Sequence, residues 1–146
     1  MKKLILLIIF APIINVEAEV NLKEISDVLK QVETLGNTKS IGDGGKAYGV
    51  LQIHKIYVDE VNNRYGTAYT HKQMFDPICA EEVFLLCMQF AQERFCKKYN
   101  RMPTEEEIVR MHNGGIYTGY KKKSTIKYYK RYLKFKNKIK NNVKNR

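Results

Sequence analysis

Apolar residues recur at helical spacing in several stretches separated by turn signals, which predicts a mainly α chain. Asn21 followed by Glu24 three residues on is an N-terminal capping pattern, and Ile25, Val28, Leu29 and Val32 then mark one apolar face. Gly36-Asn37 stops that helix, so Glu33 falls in its last turn with Val32 and Leu35 on its flanks. Ser40 to Gly49 holds four glycines and little periodicity, and reads as a loop or a short hairpin. A short helix is expected over 55–64. Asp76-Pro77 is a cap followed by a first-turn proline, opening a long helix through Tyr99 with Ile78, Val83, Leu86, Phe90 and Phe95 as its apolar positions. Thr104 with Glu107 opens another helix, which ends at Asn113-Gly114-Gly115. From about Ser124, Ile126, Tyr129, Tyr132 and Leu133 recur at helical spacing among lysines, with fraying expected beyond Lys140. The fold class this predicts is mainly α of the α+β kind, a helical domain with one short glycine-rich loop or β-hairpin after the first helix.

The first residues do not belong to that domain. Lys2 and Lys3 precede the apolar run Leu4 to Ile14, and Val16-Glu17-Ala18 then offers a signal-peptidase site. The run is about half the roughly 20 residues a membrane span needs and contains Pro12. Residues 1–18 are therefore expected to be a removed signal peptide, 19–140 the domain and 141–146 a frayed basic tail, with the mature protein secreted or periplasmic. Cys79, Cys87 and Cys96 share the predicted long helix. At about 1.5 Å per residue the first two are roughly 12 Å apart, beyond the reach of a disulfide, so all three are expected as small apolar residues in a helical core. No zinc-like spacing of cysteine and histidine occurs, and neither a metal nor another cofactor is expected.

With 146 residues the chain is long enough for one domain with a core. At 44% hydrophobic and 28% charged it is no candidate for wholesale disorder or a multi-span membrane protein. The net charge of +11 is concentrated at the C-terminal end, because Lys121 to Arg146 contain twelve basic residues and no acidic one. An exported chain of this kind points to an anionic wall polymer or a membrane surface as partner of that segment, and not to nucleic acid. A merely solvated lysine face is the alternative reading.

The residue with chemical promise is Glu33. A carboxyl at the C-terminal end of a helix faces the negative end of the dipole, and apolar neighbours withhold solvent, so both effects are expected to favour the protonated form of a general acid. Three segments come after it in a definite order: Gly42-Asp43-Gly44-Gly45, then Ala47-Tyr48-Gly49-Val50-Leu51-Gln52-Ile53, and much later Asn113-Gly114-Gly115. In that order the chain resembles the lysozyme-like superfamily, in particular lytic transglycosylases and the goose-type and invertebrate-type lysozymes. There a helix-end glutamate precedes a Gly-x-x-Gln-[Ile/Leu] segment and a late Asn-x-Gly turn. The resemblance covers about Leu22 to Leu133.

It implies a peptidoglycan-cleaving enzyme acting on the β-1,4 bond between N-acetylmuramic acid and N-acetylglucosamine, with Glu33 as the acid. It further implies Gln52 beside the cleft, Gly49 as a close approach of backbone to sugar, and Asn113 on the late turn. Many transglycosylases carry a tyrosine where this chain has His112, so His112 either replaces it as partner of the acid or points elsewhere. Asp43 resembles the second acid of invertebrate-type lysozymes, and as part of an Asp-Gly pair it equally suits a turn. Tyr48, His54, Tyr57, Tyr65 and Tyr117 are candidates for contact with sugar rings, Tyr48 and Tyr117 foremost. Asp59 and Glu60 read as a solvated helix face. The expected substrate is the glycan strand, cut by a monomer as hydrolase or transglycosylase; the rival reading is a non-catalytic module of the same fold that binds wall or another anionic surface.

Overall fold

A computed structural model describes residues 20–144; the expected signal peptide and the last two residues of the expected tail lie outside the described residues. The element order is α1 (Leu22–Thr34), β1 (Ile41–Gly42), β2 (Ala47–Tyr48), β3 (Ile53–His54), α2 (Lys55–Tyr65), α3 (Pro77–Tyr99), α4 (Glu105–Gly114) and α5 (Ser124–Lys144). Single 3-10 turns occupy His71–Phe75 and Gly119–Lys121. The class is mainly α with a small antiparallel sheet. No helix among the described residues is long and apolar enough to cross a membrane.

α1 forms as its pattern dictates. The Asn21 side chain accepts from the Glu24 amide at 3.0 Å, and Ile25, Val28, Leu29 and Val32 are buried. The chain leaves the helix through Leu35, which takes a left-handed conformation at φ 53°. α1 is tied to α3 by Glu81, which accepts from the Ser26 hydroxyl and the Lys30 ammonium, each at 2.9 Å.

The glycine-rich stretch gives more than a hairpin. β1, β2 and β3 form a three-stranded antiparallel meander, with Ile41 opposite Tyr48 and Tyr48 opposite Ile53. Two glycines make close approaches, one to a side chain that can move and one to main chain that cannot. A Cβ on Gly42 would lie 2.0 Å from the Gln52 side-chain oxygen, and one on Gly49, at φ +75°, would lie 1.7 Å from the Met74 carbonyl oxygen. The Thr34 hydroxyl donates to the Val50 carbonyl at 3.2 Å, anchoring the end of α1 to this sheet.

α3 opens on the Asp76 cap with Pro77 in its first turn, as predicted. Its core stripe is Ala80, Val83, Phe84, Cys87, Met88, Ala91 and Phe95, with Phe90 buried beside it. Ile78 was expected on the apolar face but is 68% exposed: two residues before Ala80, it lies on the opposite side of the helix. Of the cysteines only Cys87 is buried, and burial pushes its thiol up to about 12; Cys79 and Cys96 are half-buried. The three thiols are free.

α5 closes the molecule over α1 and α4. Its fully buried anchor is Tyr132, and Lys136 reaches Glu24 of α1 at 3.2 Å and also pairs with Glu105 of α4. Ile126 is off the buried face and 40% exposed, and the helix continues to Lys144 where fraying beyond Lys140 was expected. Its last turns contain neither glycine nor proline, so nothing in the sequence there breaks the helix.

Candidate active site

Glu33 sits where the last turn of α1 meets α4 and α5. Its side chain is 18% exposed, and its closest partners come from the far end of the chain. The Tyr128 hydroxyl, on α5, donates to Glu33 Oε1. His112 Nε2, in the last turn of α4, stands 3.5 Å from the same oxygen with its side chain only 4% exposed. The His112 ring is held edge-on by Tyr57 and Phe84, at centroid distances of 5.9 and 5.4 Å, and its Nδ1 is 3.4 Å from the Tyr57 hydroxyl. Of the two readings of His112, the structure shows the one facing the acid. The shielding of Glu33 differs from the expectation in one respect: Leu35 turns outward, 71% exposed, and solvent is withheld by Tyr128 and His112 instead.

The electrostatics also differ in sign. Burial pushes the Glu33 carboxyl up, but His112, through hydrogen bonding and charge, the Tyr128 hydroxyl, and the charge of Arg131 outweigh it and hold the group below its usual 4.5. Helix-end placement and burial do act as expected; partners from α4 and α5 overrule them. Both contacts fall on Oε1, so Oε2 is the oxygen left for a ligand. Tyr128, buried against this carboxylate, has its own phenol pushed far up and stays a donor.

Tyr128→Phe is therefore expected to cost about 1.5–3 kcal/mol at neutral pH, the range for a hydrogen bond to a charged group. A carboxyl whose folded pKa is depressed adds stability above its unfolded pKa, and that stability is lost as pH falls through the folded value. The gap between wild type and variant should accordingly narrow below about pH 4.5. Thermal melts of both proteins across that range are the check, and a gap independent of pH rejects the charged hydrogen bond as its source.

A polar cavity of about 130 Å³ opens beside the acid, lined by Glu33, Asp43, Gln52, His54, His112 and Asn113. Asp43 occupies the β1–β2 turn in a left-handed conformation (φ 48°), and its Oδ2 lies 2.7 Å from His54 Nε2 at the end of β3. It thus serves the turn and also faces the cavity. Gln52, at φ 50°, donates from Nε2 to the Gly49 carbonyl at 2.9 Å, so its amide braces the loop that it shares with the cavity wall. Asn113 is exposed next to His112.

Other expected site residues lie apart from this cavity's lining. Tyr48 is stacked on His71 (3.9 Å between centroids) and Phe75 (4.8 Å), so its ring faces are already covered by the protein. Gly49 makes its close approach to Met74. The Tyr117 hydroxyl donates to Glu60 at 2.7 Å, under the Arg94 guanidinium 4.3 Å from its ring centroid. Glu60 is therefore not simply a solvated residue. Tyr65 donates to the Leu86 carbonyl at 3.1 Å. A larger hollow of about 540 Å³ beside Leu22, Leu85 and Gln92 carries no acid, base or nucleophile among the described residues of its lining.

Sequence reasoning missed Tyr128 and the reach of Arg131. The signal was present, since Tyr128 stands one helical turn before the buried Tyr132 and so shares its face. Compared with known proteins, the chain matches no protein-family model, no curated protein and no solved structure.

Proposed function

We propose that this protein is a glycosidase of peptidoglycan, cutting the β-1,4 bond between N-acetylmuramic acid and N-acetylglucosamine as a lytic transglycosylase or a lysozyme-type muramidase. One observation carries the reading: a half-buried carboxyl, gripped on one oxygen by Tyr128 and His112, borders a polar cavity with its other oxygen unclaimed. The meeting of Glu33, Gln52 and Asn113 in that cavity, from three separate stretches of sequence, supports the resemblance to lysozyme-like enzymes.

In this reading Glu33 carries a proton on Oε2 and gives it to the glycosidic oxygen. The carboxylate so formed is stabilised where it is already held, by the Tyr128 hydroxyl and by the His112 ring. Their pull makes Glu33 a strong acid present in small amount at neutral pH, and favours turnover in mildly acidic solution. Glu33 then acts as base, either toward water or toward the muramic C6 hydroxyl, whose attack leaves a 1,6-anhydro end. Positive charge at the anomeric carbon falls to Asp43, with His54 holding its carboxylate in place. An exported protein, secreted or periplasmic, meets this substrate.

A second reading, a non-catalytic module that binds wall, draws on the same low setting of Glu33, which keeps it ionised at neutral pH. Digestion of purified walls separates the two. Soluble muropeptides are expected, with anhydro ends lighter by one water if the enzyme is a transglycosylase and reducing ends if it is a hydrolase. Walls that bind the protein and release neither product overturn the enzyme.

A further inference from the structure

The outward face of α5 is cationic, and no ion pair covers it among the described residues. Lys127, Lys130, Arg131, Lys134 and Lys138 are all exposed and fall within an arc of about 100° at 100° per residue, over about 17 Å of helix. None of the five has a carboxylate within ion-pair distance among the described residues, whereas Lys136, on the inward side, is paired with both Glu24 and Glu105. Like charges three and four residues apart repel, so the free helix carries this face at a loss that an anion would relieve.

The face also leads to the acid. Arg131 lies near enough for its charge to act on Glu33, and Tyr128, one turn before Tyr132, passes from the same helix into the site. The stripe is one helix wide, and the exposed large apolar side chains of α5, Ile126 and Val143, fall outside its arc. A narrow line of cations ending beside the reacting carboxyl fits an extended polyanion better than a flat surface.

We propose that the outward face of α5 docks the carboxylates carried along an acidic glycan strand, holding that strand while one of its glycosidic bonds lies at Glu33. The inference rests on the glycosidase reading for the identity of the strand. It adds that the substrate is recognised by its acidic substituents and not by its sugars alone.

The test is co-sedimentation of the full chain with purified walls, before and after their carboxyls are amidated. A fourfold variant, K127Q/K130Q/K134Q/K138Q, leaves Arg131 and the buried face of α5 untouched. It is expected to bind untreated walls at least about tenfold more weakly at about 0.05 M salt, and less than about twofold more weakly at about 0.5 M, where screening is short-ranged. On amidated walls wild type and variant should be alike. A wild type indifferent to amidation, or a variant whose deficit is the same at both salts, overturns the proposal, and the first of these needs no variant at all. Phosphatidylglycerol vesicles and a short DNA duplex are the competing polyanions, and binding to either as tight as to walls also overturns it. Walls bound through α5 but left uncut defeat the glycosidase and leave the docking surface standing; walls cut with no dependence on α5 do the reverse.

Discussion

Glu33→Gln is expected to slow the clearing of purified walls by roughly 10²–10⁴-fold, the usual contribution of a positioned general acid. The substitution keeps the side chain's shape, so Tyr128 still has an oxygen to donate to, and the protein should fold and sediment with walls as before. What disappears is the proton. The wild type carries its own signature, because a carboxyl held below 4.5 is protonated in growing proportion as solution is acidified, and clearing should climb from neutral toward mildly acidic pH until the fold gives way. In the variant that climb should be absent. Turbidity loss measured across pH for both proteins decides it: equal clearing by the glutamine form removes Glu33 from the chemistry.

The largest effect on stability is expected at Gly49. An alanine there would meet the Met74 carbonyl oxygen at 1.7 Å in a left-handed backbone, and the obstacle is main chain that cannot rotate away. Either the sheet or the His71–Phe75 turn must move, at a cost of about 4 kcal/mol or more, the class of loss reserved for a named steric cause. Gly44, in the same meander at φ +62°, has nothing within 4 Å of its added methyl. Gly44→Ala should cost only about 1–2 kcal/mol, the penalty of the left-handed conformation alone. Denaturant midpoints of the two variants give the comparison, and similar losses at both sites would show that packing on Met74 is unimportant.

Local signals carried most of the helical architecture. Asn21 with Glu24, Asp76 with Pro77, and Thr104 with Glu107 each cap the helix they were expected to open, because a cap is settled by residues a few positions apart. The third strand was not legible, since two-residue strands have no periodicity and are held by turn geometry and by the contact of Gly49 with Met74. At the site, Glu33, Asp43, Gln52, His112 and Asn113 were all named from sequence and do line one cavity. Tyr48 and Tyr117 were favoured for standing next to motifs, but adjacency along a chain says nothing about which way a ring turns. The state of Glu33 was read with the wrong sign for a related reason. Its helix end and its neighbours are local, while the hydroxyl that grips it comes from 95 residues away.

That separation has a consequence for how the protein comes into being. Synthesis delivers Glu33 near the start and Tyr128 near the finish, so the carboxyl lacks its hydroxyl partner until α5 has emerged and closed over α1. Any protease that clips off the last helix takes the Tyr128 hydroxyl from Glu33 in the same stroke.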